Sequence, residues 1–112
     1  MPVTIHKFEL KPIGLNIVQL PTHCSILSVA EKDGALMMWV RLDPDRPKAP
    51  YDIAVVGTGW EAPTDDVESQ VYWQFIDTVV MSSGLVWHVF VRIDFNEDAE
   101  ITRSGPRKEM GE

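Results

Sequence analysis

The alternation of apolar and polar residues around a two-residue glycine turn is the feature that most constrains this fold. The stretch CSILSVAEKDGALMMWVRL, residues 24–42, places apolar runs on both sides of Asp33-Gly34. An Asp-Gly pair accepts the positive φ angles that connect two antiparallel strands in the tightest hairpins. The apolar residues repeat with a period of two rather than 3.6, so this stretch is predicted to be a β-hairpin.

The same pattern predicts strands along most of the chain. Runs rich in β-branched and aromatic residues, separated by Gly, Pro and Asp, lie near residues 3–10, 15–20, 24–31, 35–43, 51–57, 71–81 and 84–94. A second hairpin is predicted to turn at Ser82-Ser83-Gly84, and the longest loop, 57–69, has an acidic start that could open one helical turn. The chain is therefore predicted to be all-β, either a small antiparallel β-sandwich or an open β-barrel of about seven strands.

Alternation also assigns two faces to the second hairpin. The predicted core face carries Trp73, Phe75, Val79 and Met81 on one strand and Leu85, Trp87, Val89, Val91 and Ile93 on the other. The opposite face carries Tyr72, Gln74, Ile76 and Thr78 with Val86, His88, Phe90 and Arg92. This second face is too apolar for a fully hydrated surface. The prediction therefore keeps open a homo-oligomer formed through the hairpin 71–94.

Length and composition describe one domain with a tail. A chain of 112 residues is long enough for a single core, which we place in residues 1–95, and the charged residues 96–112 are predicted to form a flexible acidic tail. No apolar run approaches the roughly 18 residues of a membrane span, and the start has no signal-peptide pattern. Cys24 is the only cysteine, which fits a reducing cytoplasm.

The net charge of −7 restricts the partners that this chain can bind. Binding of a nucleic-acid backbone requires clustered Lys and Arg, and the ten basic residues are scattered along the chain. Direct nucleic-acid binding is therefore not predicted. The acidity has two interpretations, which both stay open: it keeps the protein soluble, or an acidic face docks on a partner protein with a basic surface.

The stretch YDIAVVGTGWEAPTDD, residues 51–66, raises the question of a ligand loop at Gly57, Thr58 and Gly59. A phosphate-binding loop needs a helix N-terminus behind it, a Lys, or a fuller glycine pattern. None of these follows, and the local charge is negative. The pattern favours a sharp corner of the sheet. A ligand role stays open, in which backbone amides of Gly57, Thr58 and Gly59 hold a small polar group and Trp60 stacks beside it.

No catalytic or metal-binding constellation is predicted. The three histidines, His6, His23 and His88, lack ligand spacing, and His88 is expected beside aromatic side chains. Cys24 and His23 are adjacent on a strand, so they point to opposite faces, and Cys24 is assigned to the core. The acids of two loops are expected to be solvated: Asp43, Asp45 and Asp52 in one, and Asp65, Asp66 and Glu68 in the other. Accordingly, no metal, no cofactor and no enzymatic activity are predicted.

Two features remain with more than one interpretation. Asp77 lies between Phe75 and Val79 on a strand, where it is either a gatekeeper charge of an edge strand or a buried acid. The four tryptophans serve either the core or a contact surface. The predicted surface for binding a partner protein consists of Trp39, Arg41, Trp60, Glu61, Asp65 and Asp66.

The ordered series of stretches resembles a family of small phage and prophage proteins of undetermined function. The matching stretches are IHKFEL (5–10), QLPTHCSILSV (19–29), LMMWVRLDPDRP (36–47), VVGTGWEAPTDD (55–66) and LVWHVFVRID (85–94). Members typically carry a His directly after the Gly-Thr-Gly turn, where this chain has Trp60, and this departure argues against an essential ligand there. They also usually end near the last hairpin, so residues 96–112 look like an addition.

The resemblance implies a setting, which is the cytoplasm of an infected bacterial host. Small phage proteins without catalytic motifs are often inhibitors of a host protein or of an antiviral defence system. The resemblance therefore implies a non-enzymatic accessory protein that binds a host protein. Two alternatives stay open: a module that sequesters a nucleotide signal through the Gly57–Trp60 loop, and a minor structural protein of the virion.

Overall fold

The computed structural model describes residues 2–94, which form seven β-strands and no helix. The strands are β1 (Thr4–Leu10), β2 (Gly14–Pro21), β3 (Ser25–Lys32), β4 (Ala35–Leu42), β5 (Lys48–Gly57), β6 (Val71–Val80) and β7 (Val86–Asp94). All seven predicted strands are present, and the all-β fold is confirmed. The predicted tail, residues 96–112, lies outside the described residues.

The strands form two antiparallel sheets that do not close into one cylinder. The three-stranded sheet has the order β1-β4-β3, and the four-stranded sheet has the order β2-β5-β7-β6. One hairpin belongs to each sheet, β3-β4 to the first and β6-β7 to the second. The result is a small β-sandwich, in which each sheet turns one face towards the core and one face outward.

The core lies between the two sheets and is built from alternate residues. On β4, the inward side chains of Leu36, Met38, Val40 and Leu42 are at most 3% exposed. Tyr51, Ile53 and Val55 of β5 and Val89 and Val91 of β7 are fully buried against them. A period of two places every second side chain on the same face, and the predicted inward residues Trp87, Val89, Val91 and Ile93 are buried. The assignment of Leu85 to the core is wrong: it is 57% exposed, because it lies in the turn before β7 begins.

Both predicted hairpin turns use the backbone conformation that their residues favour. Asp33 and Gly34 have φ angles of 54° and 81°, which is the pattern of a type I′ turn. In the β6-β7 turn, Gly84 has a φ of 97° and donates its N–H to the Met81 carbonyl at 2.9 Å. The loop 58–70 contains no helix; its turn from Val67 to Gln70 lies between Asp66 and Val71, which form a bridge.

A β-bulge overturns the predicted faces of β6. The register with β7 shifts between Phe75 and Asp77, so one extra residue lies on β6. Before the bulge, Trp73 pairs with Arg92 and Phe75 with Phe90, which places both aromatic rings on the outer face. Phe75 is 53% exposed, so its assignment to the core is wrong. The alternation rule failed because a bulge reverses the side-chain direction of every residue on one side of it.

Two acidic side chains join the sheets where the edge strands β3 and β6 meet. The Asp77 carboxylate accepts a hydrogen bond from the backbone N–H of Val29 at 3.2 Å. Glu31 accepts hydrogen bonds from the backbone N–H and the hydroxyl of Ser82 at 2.7 and 2.8 Å. Asp77 is therefore a charge on an edge strand that points inward and satisfies a donor of the neighbouring sheet.

Candidate functional site

The outer face of the three-stranded sheet exposes the first part of the predicted contact surface. Trp39 pairs with Lys7 and Arg41 pairs with Ile5 on the neighbouring strand, so these side chains share the outward face. Arg41 is exposed and Trp39 is half-buried. We call the group of Ile5, Leu27, Met37, Trp39 and Arg41, whose members are exposed or half-buried, the Trp39 surface. It combines apolar, aromatic and guanidinium groups, which are frequent in protein interfaces.

Trp60 lies on the other sheet, at the end of β5. Its ring packs edge-on against Trp87, with centroids 5.4 Å apart and planes at 76°. It also covers Gly57 so closely that a Cβ on Gly57 would lie 2.9 Å from its Nε1. Half of the Trp60 side chain remains exposed. The predicted surface is therefore divided, because Trp39 and Arg41 belong to one sheet and Trp60 follows a strand of the other.

The acids of the predicted surface mainly shape the loop after Trp60. Asp65 accepts a hydrogen bond from the backbone N–H of Trp73 at 2.8 Å, and Asp66 accepts one from the N–H of Ser69 at 3.3 Å. These side chains satisfy backbone donors in a turn, as Asp commonly does. Glu61 is exposed. Asp65 and Asp66 are also exposed and keep their negative charge at the surface.

The Gly-Thr-Gly sequence forms a tight corner. The N–H of Trp60 donates to the carbonyl of Gly57 at 3.0 Å, and Gly59 has a φ of 91°. This hydrogen bond and the positive φ at the third position are typical of a type II turn, which requires glycine there. The structure thus agrees with the interpretation of a sheet corner.

A groove nevertheless lies beside this corner. It has a volume of about 290 Å³ and runs between the corner and the β6-β7 turn. The residues that line it are Gly57, Thr58, Trp60, Gly84, Leu85, Val86 and Trp87. These described lining residues include two indole rings and no Lys or Arg. Such a groove suits a planar, uncharged group better than a phosphate.

His88 connects the groove to the outer face of the four-stranded sheet. Its Nε2 lies 2.8 Å from the hydroxyl of Thr58, and its Nδ1 lies 3.0 Å from the hydroxyl of Thr78. The sequence predicts His88 beside aromatic side chains rather than in a metal site, and in the structure both of its ring nitrogens are held by hydroxyl groups. A hydroxyl both donates and accepts, so the two threonines satisfy a neutral imidazole in either tautomer.

His23 and Cys24 have structural roles. Cys24 is 3% exposed, and burial raises the pKa of its thiol above the ordinary value of 9.0. The Arg46 guanidinium donates to Nδ1 of His23 at 2.6 Å and to the Thr22 hydroxyl at 3.2 Å, which ties two loops together. Within residues 2–94, no three His, Cys, Asp or Glu side chains cluster in a way that would hold a metal ion.

The outer face of the four-stranded sheet carries more apolar side chains than those predicted for the hairpin 71–94. One row across all four strands consists of Leu15, Ala54, Phe90 and Phe75, which are successive partners in the register. Leu15 and Ile17 of β2 are 48% and 54% exposed, and Phe75 and Val80 of β6 are 53% and 69% exposed. In the sequence, Leu15 and Ile17 alternate with Asn16 and Val18. This alternation separates the two faces of β2 but does not say which face points outward.

A largely buried ion cluster lies on this face near the C-terminal end of β7. The Arg92 guanidinium lies 3.4 Å from the Asp52 carboxylate and 3.2 Å from the Asp94 carboxylate. The side chains of Asp52 and Asp94 are 4% and 0% exposed, so the expectation of a solvated Asp52 is wrong. Asp52 and Arg92 are 40 positions apart in the sequence, and the pairing of β5 with β7 brings them together.

By these features the protein is a small antiparallel β-sandwich in which both sheets present apolar side chains outward. Residues 1–100 match the model of a family described as Domain of unknown function (DUF7352), and the chain belongs to this family. No curated protein and no solved structure matches the chain. In the described part of the chain, no helix is long and apolar enough to cross a membrane.

Proposed function

We propose that this chain is a non-enzymatic accessory protein that acts by binding a protein partner through the Trp39 surface. The resemblance to small phage proteins supports a setting in the cytoplasm of an infected bacterium. In that setting the partner is a host protein, and binding inhibits that protein or an antiviral defence system. The observation that carries the proposal is the combination of half-buried Trp39 with exposed Arg41 and Ile5 on one sheet face.

The physical argument starts from the cost of exposing these groups to water. Ile5 and Leu27 are 54% and 48% exposed, and Trp39 is only half-buried. Trp and Arg are the residues that most often dominate binding energy at interfaces. A surface that keeps them together outside the core is suited to a protein contact.

The charge of the chain supports a partner with a basic surface. The net charge of −7 produces a negative field around the molecule, and such a field accelerates encounter with a positive partner. Binding should therefore weaken as salt rises beyond roughly 0.15 M, where charges are screened within about 8 Å. Affinity that does not change with salt would contradict the electrostatic part of the proposal.

The experiment that tests the proposal is an affinity pull-down from bacterial lysate with matched tryptophan variants. Trp39→Ala removes the aromatic centre of the Trp39 surface, whereas Trp60→Ala removes an exposed indole on the other sheet. We expect a stoichiometric partner to be retained by the wild type and by Trp60→Ala and lost by Trp39→Ala. Loss with Trp60→Ala alone, or retention by Trp39→Ala with intact folding, would contradict the Trp39 surface as the binding site.

The groove beside the Gly57–Trp60 loop favours a second candidate function, which is binding of a nucleotide signal. Trp60 and Trp87 supply aromatic walls for a base, while the described lining lacks a cation for its phosphates. A thermal-shift panel of cyclic dinucleotides and related signals tests this candidate. Ligand at 100 times its dissociation constant stabilises the fold by about 2.7 kcal/mol. The shift should disappear in Trp60→Ala and persist in Trp39→Ala; no shift in the panel rejects this candidate.

A further inference from the structure

The outer face of the four-stranded sheet is a second apolar surface, on the opposite side of the sandwich from the Trp39 surface. We propose that two copies of this chain associate face to face through it. The exposed members of this face are Leu15, Ile17, Phe75 and Val80, between 48% and 69% exposed. They lie on β2 and β6, the two edge strands of the sheet. The apolar side chains therefore extend across the whole width of the sheet.

The charges of this face favour a second copy over a charged partner. Each copy carries a net charge of −7, so two copies repel each other except where the contact contains little exposed charge. The exposed apolar residues of this face are uncharged, and the carboxylates of Asp52 and Asp94 already pair with Arg92 in one copy. Because those carboxylates are at most 4% exposed, dimer formation removes almost no water from them.

The size of the face matches what a specific dimer requires. Strands lie about 4.8 Å apart and rise about 3.3 Å per residue, so a sheet of four strands of this length offers roughly 500 Å² per copy. Two such faces reach the roughly 1,000 Å² that separates specific interfaces from incidental contacts. Two twisted sheets pack face to face with strand directions about 30° apart, which is the arrangement within the sandwich itself.

The centre of the face is shaped for such packing. Ala54 is a small residue at the middle of the apolar row, between Leu15 on β2 and Phe90 on β7. Phe75 and Phe90 pack edge-on with centroids 5.6 Å apart and form a ridge beside it. In a dimer, the exposed apolar side chains of one copy pack against this row of the other. The interface is thus self-complementary, as a two-fold axis requires.

The experiment compares the mass of the wild type in solution with that of two matched isoleucine variants. Ile17 on β2 and Ile5 on β1 are both 54% exposed on edge strands, but they lie on different sheets. We expect the wild type to sediment at twice 12.7 kDa. Ile17→Glu should raise the dimer dissociation constant by at least about 100-fold, because it buries an unpaired carboxylate. Ile5→Glu should leave the dimer intact.

A second variant and the wild type itself keep the test decisive. Phe75→Glu alters the opposite edge of the same face and should also give a monomer, with the far-ultraviolet circular dichroism of the wild type. A wild type that stays at 12.7 kDa across the dilution series overturns the proposal, and leaves this face to a different apolar partner. A dimer that Ile5→Glu disrupts and Ile17→Glu does not would also overturn it.

Discussion

Single side chains decide how the two sheets hold together and which charges leave water. Asp77 satisfies a backbone donor of the opposite sheet. Arg92 neutralises the carboxylate of Asp52 on the neighbouring strand β5 and that of Asp94 on its own strand β7. Both residues are polar groups placed among apolar ones, where an unpaired partner is costly. Their effects on stability therefore come mainly from what remains unpaired after their removal.

Replacement of Asp77 by alanine should lower the free energy of unfolding by about 1–3 kcal/mol. The substitution leaves the N–H of Val29 buried without its acceptor, and desolvation of an unpaired donor costs about that much. Urea denaturation measures the change. Asp77→Asn keeps a side-chain oxygen and should recover most of the loss. Glu31→Ala, which removes the exposed contact with Ser82, should cost less; equal losses for the two alanine variants would contradict this account.

Turns and bulges determine how each strand meets its neighbour. The Asp33-Gly34 turn fixes the register of β3 with β4, while the bulge at Phe75 and Asp77 divides β6 into two parts with opposite orientations. The corner at Gly57–Trp60 ends β5 and positions one wall of the groove. At this scale, glycine is required at some positions for its backbone angles and at others for its small size.

The two glycines of the corner should respond differently to alanine. Gly59→Ala forces a side chain into a φ of 91°, so it should lower stability by about 1–2 kcal/mol. Gly57→Ala places its Cβ 2.9 Å from Nε1 of Trp60, a half-exposed side chain that can move away. We therefore expect a smaller loss of stability but stronger quenching of tryptophan fluorescence by acrylamide. Unchanged quenching in Gly57→Ala would show that Trp60 does not cover the corner.

The whole molecule is a sandwich with one core and two outward surfaces on opposite sides. The Trp39 surface and the outer face of the four-stranded sheet can therefore be occupied at the same time. The core itself contains two groups that resist ionisation. Burial raises the pKa of Cys24 above its ordinary value of 9.0 and that of Tyr51 well above 10.0.

The stability of the fold should therefore decrease in alkaline solution. In the unfolded chain these groups ionise near their ordinary pKa values, whereas the folded state keeps them protonated. Their contribution is fully present below about pH 8 and is lost as the pH rises, by up to about 1.4 kcal/mol per pH unit for each group. Urea midpoints between about pH 7 and 10.5 measure this loss.

Two variants identify the groups responsible for the alkaline slope. Cys24→Ala and Tyr51→Phe should each make the slope of stability against pH less steep, and the double variant should flatten it most. A slope that the double variant shares with the wild type would mean that other groups cause the loss. Both positions are in the core, so the variants are compared by slope rather than by absolute stability.

The sequence alone determined the strands, the turns and most of the inward side chains. These features depend on neighbouring residues, since the period of two and the conformational preferences of Asp-Gly act within a few positions. The inward residues of β7 and the corner at Gly57–Gly59 were predictable for this reason. The candidate site was predictable only in pieces, as the outward face of Trp39 and Arg41 and the position of Trp60 beside a turn.

The tertiary structure decided which of these pieces meet. Only the pairing of strands brings Asp52 to Arg92, His88 to Thr58, and Leu15 into one row with Phe75. It also separates Trp39 from Trp60 by placing them on different sheets, and a single bulge turns Phe75 outward. Contacts between residues distant in sequence depend on register and sheet order, and the local pattern of a strand contains no information about its neighbours.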